Sequence, residues 1–279
     1  MGIEDTSDSF ATALVLGGGG PVGIAWMAGL IVGLRAAGID PARAERIVGT
    51  SAGSVVGAAL TGGGDLESLG RPRPPSAETP PPDTQCLSEV LALRRAGGDA
   101  RQMRRRIGAL AVAADTVEPD VHIERIAALT GVSAWPDADL WVTAVDIGTG
   151  ELRVWTRTGE ATLPQALASS TSVPGIFPPI PIAGSIFVDG GMRSALNADL
   201  AAGARTVVIL EPLAHMMPRT RADRAHGAGR EISIVPDAEA VAAFGGNVFA
   251  PDAVAPAYAA GVRQSVTAAT RLADGGLGA

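Results

Sequence analysis

The residues best suited to covalent chemistry lie in Ile47-Val48-Gly49-Thr50-Ser51-Ala52-Gly53-Ser54, an apolar strand end running into Gly-x-Ser-x-Gly. An apolar run with helical character, residues 55–60, follows it. A strand, sharp turn and helix in this order place a serine hydroxyl at the tip of an elbow, open to substrate and beside a helix N-terminus. Ser51 is therefore the candidate nucleophile. Gly49 and Gly53 support the motif, because side chains there would crowd the turn where the backbone reverses. A serine hydroxyl is a weak nucleophile near neutral pH and needs a base within hydrogen-bond reach. Asp189 closes the apolar run 185–188 and is followed by Gly190 and Gly191, so its carboxylate can approach another backbone turn closely. Partial burial there would raise its proton affinity and make it a better base.

A second stretch, Gly17-Gly18-Gly19-Gly20-Pro21-Val22-Gly23, joins the short apolar run 13–16 to the helical run 24–37. Glycines between a strand and a helix let backbone amides converge on an anion, reinforced by the helix dipole. Gly18, Gly20 and Gly23 satisfy Gly-x-Gly-x-x-Gly, which would suit a dinucleotide pyrophosphate; the same amides would equally form an oxyanion hole. A dinucleotide fold wants an acidic residue closing the second strand. Here the second strand ends in the Ser51 elbow, which favours the oxyanion hole.

These pieces need elements to hold them. Residues 62–85 carry six prolines and read as a flexible linker or lid, since they fit neither a packed helix nor a central strand. Helices are expected over 87–96 and 101–114, the second with an apolar stripe of Met103, Ile107 and Leu110. Residues 94–106 hold six arginines against Asp99 alone. That cluster reads either as a surface resting on anionic lipid or as a solvated helix face. Further on, the pattern gives a helix over 120–130, a hairpin of strands 140–145 and 152–156, a helix over 163–169, and strands over 185–188 and 206–210. Residues 213–230 read as a mobile polar loop, and 256–272 as a surface helix.

Composition bounds the rest. The 279 residues are 47% hydrophobic and 18% charged, enough for one large catalytic domain over residues 1–279 with an excursion at 62–115. A net charge of -7 argues against a nucleic-acid partner. The single cysteine, Cys86, excludes an intrachain disulfide and leans towards the cytosol. All 22 basic residues are arginine, a bias expected of a GC-rich bacterial genome. The uncharged run 9–34 is interrupted by Gly17 to Pro21 and does not read as a membrane span, and no basic segment of a secretory signal precedes it. A cytoplasmic protein, at most peripheral to a membrane, is expected.

Taken in order, the loop at Gly17 to Gly23, the elbow at Gly49 to Gly53, the segment 168–179 and Asp189-Gly190-Gly191 resemble the patatin-like phospholipase family in a bacterial form. The resemblance runs from about Ala13 to Leu210. It implies a three-layer α/β/α fold and a Ser-Asp dyad that hydrolyses acyl esters of lipids without metal or organic cofactor. It implies Ser51 as nucleophile, Asp189 as base and the amides of Gly18, Gly19 and Gly20 as oxyanion hole. The chain departs from the family at Val22, where Arg or Lys is common, and 62–115 has no counterpart in it. Two alternatives stay open. One is a conventional α/β-hydrolase whose triad is Ser51, Asp189 and either His215 or His226. The other is a non-catalytic lipid-binding protein. His122 precedes Asp189 and is expected on a helix surface.

Overall fold

The structure, a computed structural model, describes residues 9–73 and 80–273. Strand β1 (Phe10–Leu16) leads through the glycine loop into α1 (Gly20–Ala36), and β2 (Arg46–Thr50) leads through the Ser51 turn into α2 (Ala52–Gly62). Then come α3 (Thr84–Ala96), α4 (Ala100–Ala113), α5 (Pro119–Thr130), the strands β3 (Leu140–Asp146) and β4 (Leu152–Trp155), and α6 (Leu163–Ser170). The chain continues with β5 (Ile180–Ile182), β6 (Ser185–Asp189), β7 (Ala204–Leu210), β8 (Arg230–Ile234), α7 (Ala238–Phe244) and α8 (Val254–Ala273). Local chemistry sets several helix starts: Asp83 and Asp99 cap α3 and α4, and Thr162 with Gln165 forms a capping box on α6.

The strands form one sheet in the order β5-β6-β3-β2-β1-β7-β8, with β4 paired to β3. Strands β3, β2, β1, β7 and β8 run parallel, while β4 and β6 lie antiparallel to β3. Parallel strands are buried on both faces and need helical crossovers, so alternate residues face different layers. Leu14 and Leu16 of β1 and Val208 and Leu210 of β7 join the core under α1, α2 and α8. Ala13, Val15, Val207 and Ile209 point the other way, against residues 196–201. The result is a mixed α/β fold with a central sheet and helices on both sides, as the sequence leads one to expect.

The excursion supplies part of the second layer. Cys86, Val90, Ile107 and Ala111 of α3 and α4 pack on Val145 of β3 and Val188 of β6. A linker or lid is therefore confined to the proline-rich stretch, of which residues 74–79 lie outside the described residues.

Other expectations need correction. The segment 213–230 is anchored: Arg219 bonds Glu211 and Glu231, while buried Asp223 accepts from the Ser194 hydroxyl and the Thr220 amide. Strands β5 and β8 and helix α7 were not apparent in the sequence. Pro181 is tolerated in β5 because that strand is a sheet edge. Helix α8 is a surface helix with one face buried, at Ala257, Ala260, Gly261, Ser265, Ala268 and Leu272, while Val262 and Val266 on the other face are exposed.

Helix α8 lies so close to α1 that a Cβ on Gly261 would overlap the Trp26 carbonyl oxygen. Gly261→Val should lower the unfolding free energy by about 2–3 kcal/mol in urea titrations, through overpacking against backbone. Gly246→Ala, at a position with open space around it, should change it by less than about 0.5 kcal/mol.

Candidate active site

Ser51 sits between β2 and α2 with φ 52° and ψ -117°, a left-handed conformation that a non-glycine residue rarely adopts. Its neighbours make room for the turn. A Cβ on Gly49 would stand 2.5 Å from Ser54 Cα, and one on Gly53 would overlap the Leu16 carbonyl oxygen. The elbow is held from outside as well. The Ser51 amide donates to Ser170 Oγ at 2.9 Å, and Thr50 Oγ1 accepts from Thr143 Oγ1 at 2.9 Å and from Asn197 Nδ2 at 3.0 Å.

Asp189 ends β6, where Ala144 of β3 is its strand partner. With β2 on the other side of β3, the two strand ends bring the Asp189 carboxylate beside Ser51, whose hydroxyl favours the charged form of the carboxyl. Asp189 is 2% exposed. Burial pushes its carboxyl up to about 6, opposed by the Ser51 hydroxyl, the Gly191 amide and the Arg94 guanidinium. The Gly191 amide donates to Asp189 Oδ1 at 2.6 Å, and Gly190 lies so close to Thr143 that a Cβ there would overlap its hydroxyl.

The glycine loop divides its amides. Gly18 N–H donates to the Ala195 carbonyl at 2.8 Å, so the expectation that Gly18 points a free donor at the site is corrected: its backbone is committed to the segment after Asp189. Among the described residues the Gly19 and Gly20 amides have no hydrogen-bond partner. Gly20 opens α1 with φ 59°, and Gly23 packs in the next turn with its amide on the Gly19 carbonyl at 2.8 Å. A Cβ on Gly18 would come 3.6 Å from Ser51 Cβ, which puts the loop beside the serine.

Among the described residues no histidine is hydrogen-bonded to Ser51 or Asp189. His226 is buried, with Nε2 2.8 Å from Glu231 Oε2, and Glu231 lies near the start of β8, away from the strand ends that carry Ser51. His215 is exposed and its ring meets Phe244. His122 is not on the surface: it is 1% exposed, stacks on Phe177 at 4.5 Å and shares a hydrogen bond with Thr171 Oγ1 at 3.1 Å. Burial pulls its pKa down to about 4, which keeps the ring neutral near pH 7. His122 also lines an apolar cavity of about 670 Å³ with Ile126, Leu129, Ile176, Phe177 and Phe249. Phe249 follows Val248, whose carbonyl accepts from the Val22 amide in the first turn of α1, so the cavity adjoins the glycine loop.

The family model of the patatin-like phospholipases matches residues 14–202, more than half of the chain. The chain belongs to the patatin-like phospholipase family. Members of that family are lipid acyl hydrolases. The matched range holds the glycine loop, the elbow and Asp189 of this patatin-like chain. Among solved structures, the crystal structure of VipD from Legionella pneumophila is similar, with a TM-score of 0.48 and 14% identity over 94% of this chain and 67% of that one. Comparison with curated proteins gives no match.

Nothing in the sequence marks Ser170, Thr143 and Asn197, which hold the elbow, and it places Arg94 in a cluster that reads either as a lipid-resting surface or as a solvated helix face. The guanidinium of Arg94 instead donates to the Gly191 carbonyl at 2.8 Å. Arg104 donates to the Gly150 carbonyl at 2.5 Å, and Arg101 pairs with Glu151 at 2.5 Å. Helical spacing alone does not say which arginines turn inward.

A carboxyl raised from 3.8 to about 6 binds its proton more tightly in the folded chain than in the unfolded one. Stability contributed by Asp189 is therefore greatest below pH 4 and falls as pH rises through about 6. Asp189→Asn should stabilise the fold at pH 8 by roughly 2–3 kcal/mol and leave it nearly unchanged near pH 3.5, read as urea midpoints across that range.

Proposed function

We propose that this chain is a serine acyl hydrolase of lipid esters that works through a Ser51–Asp189 dyad and an acyl-Ser51 intermediate. The observation that carries the reading is a buried carboxylate placed beside a serine that is held in a strained strand-to-helix turn. In the first half-reaction Asp189 takes the proton as Ser51 Oγ attacks the acyl carbon. The carbonyl oxygen gains negative charge beside the unpartnered Gly19 and Gly20 amides. Collapse of the tetrahedral adduct expels the alcohol, which leaves with the proton from Asp189. In the second half-reaction Asp189 takes a proton from water, the resulting hydroxide attacks the acyl-serine, and the fatty acid departs as Ser51 regains its proton. A base poised near 6 is well matched to this exchange at neutral pH.

The cavity between α5, Phe177 and Phe249 is the assigned place for the acyl chain, since it adjoins the glycine loop and most of its lining residues are apolar, with Arg73, His122 and Arg125 the polar ones. Arg95, Arg105 and Arg106 are the arginines of the cluster still free at the surface; beside Leu91 and Val112, they are the part this reading assigns to an anionic membrane. Among the described residues no helix is long and apolar enough to cross a membrane.

A fluorophosphonate probe should label the wild-type protein and leave Ser51→Ala unlabelled. The labelled protein should hydrolyse acyl esters in a panel of lipids and short esters. Equal labelling of Ser51→Ala would remove Ser51 as nucleophile. Gly19→Val should lower turnover by on the order of a hundredfold, because its side chain would press on Gly23 and Pro212 and shift the free amides.

A further inference from the structure

Helices α3 and α4 belong to the part of the chain that the family motifs do not explain, yet one of their side chains reaches the dyad. Arg94, in the last turn of α3, donates from Nη2 to the Gly191 carbonyl at 2.8 Å. Gly191 in turn donates its amide to Asp189 Oδ1 at 2.6 Å, and Asp189 meets the Ser51 hydroxyl. A continuous path therefore runs from the excursion to the nucleophile.

The position of α3 is fixed independently of Arg94. Asp83 caps its first turn, the Asp83 amide donates to the Gly175 carbonyl at 2.7 Å, and Cys86 and Val90 pack into the core shared with Val188 and Met192. The guanidinium is thus delivered by a docked helix. Arginine keeps its charge at any physiological pH, and a planar fork suits a carbonyl beside a carboxylate.

The other charges around this turn are engaged elsewhere. Arg193, just past Gly191, bonds Asp199 and Asn197. From α4, Arg104 binds the Gly150 carbonyl and Arg101 binds Glu151. Asp146, at the end of β3, accepts from the Gly148 and Thr149 amides. Thr143, Asn197 and Ser170 face the turn and the elbow with neutral groups. Among the described residues Arg94 is the one charge that acts on Asp189.

We propose that Arg94 is a positioning residue: anchored on the Gly191 carbonyl, it holds the Asp189-Gly190-Gly191 turn against Ser51 and supplies the cation that balances the buried carboxylate. The excursion is then a working part of the site, and its docking sets the strength of the base. The inference rests on Ser51 and Asp189 being nucleophile and base.

Its test reads Asp189 without any substrate. The stability difference between a parent protein and its Asp189→Asn variant, followed from pH 3.5 to 8, reports the carboxyl's midpoint through linkage. In the Arg94→Gln background that midpoint should move up by about one pH unit, and in Arg94→Lys it should stay near that of the wild type. With a short ester, the acid limb of kcat/KM should move up by the same amount in Arg94→Gln, with little change in KM. Arg94→Met, which keeps the packing of the stem, serves if Arg94→Gln does not fold. An unmoved midpoint in a folded charge-free variant overturns the role of Arg94. A moved midpoint in a protein that hydrolyses no ester supports the coupling and removes the hydrolase reading.

Discussion

A carboxylate that is 2% exposed needs partners, and the site is arranged around that need. Asp189 is buried at the end of β6 with one hydroxyl, one backbone amide and one guanidinium about it. Those groups lower the cost of the charge without removing it, so the carboxyl stays near 6, which is where the proposed base must lie to take a proton at neutral pH and give it back. A stronger ion pair would hold it as a poor base. Complete isolation would leave it protonated and unable to accept.

The sheet makes this contact possible. Ser51 leaves the end of β2, Asp189 the end of β6, and β3 lies between them. Two devices hold the strand ends to the small separation a hydrogen bond requires. One is the crowded elbow, in which Gly53 rests on the Leu16 carbonyl and so ties α2 to β1. The other is the buried polar knot of Thr50, Thr143 and Asn197, with Asn197 in a left-handed conformation that directs its amide to both strands. The glycine loop at the end of β1 completes the set, with Gly18 bound to Ala195 and the next two amides left open.

What could be read from the sequence is what depends on local sterics and short spacing. Gly49, Gly53 and Ser51 declare an elbow because few other residues fit one. Asp189-Gly190-Gly191 declares a close turn, and the alternation of residues 140–145 and 152–156 declares a hairpin. What could not be read depends on distant neighbours. Arg94 and Arg95 are adjacent in one helix, yet one reaches the Gly191 carbonyl beside Asp189 and the other faces solvent, and only the docking of α3 decides between them. His122 is polar but buried because Phe177 and Thr171 receive it. Helix α8 hid its buried face because alanine marks both of its sides, and β8 is charged at its start because it forms a sheet edge.

A dyad and a triad differ in whether a histidine carries the proton, and this decides the account. Short-ester turnover should be compared for the wild type, Asp189→Asn and the double variant His215→Ala/His226→Ala, with circular dichroism to confirm folding. The account predicts that Asp189→Asn falls close to the level of Ser51→Ala while the double variant keeps turnover within a few-fold of the wild type. A folded double-histidine variant that has lost several orders of magnitude in turnover would contradict it.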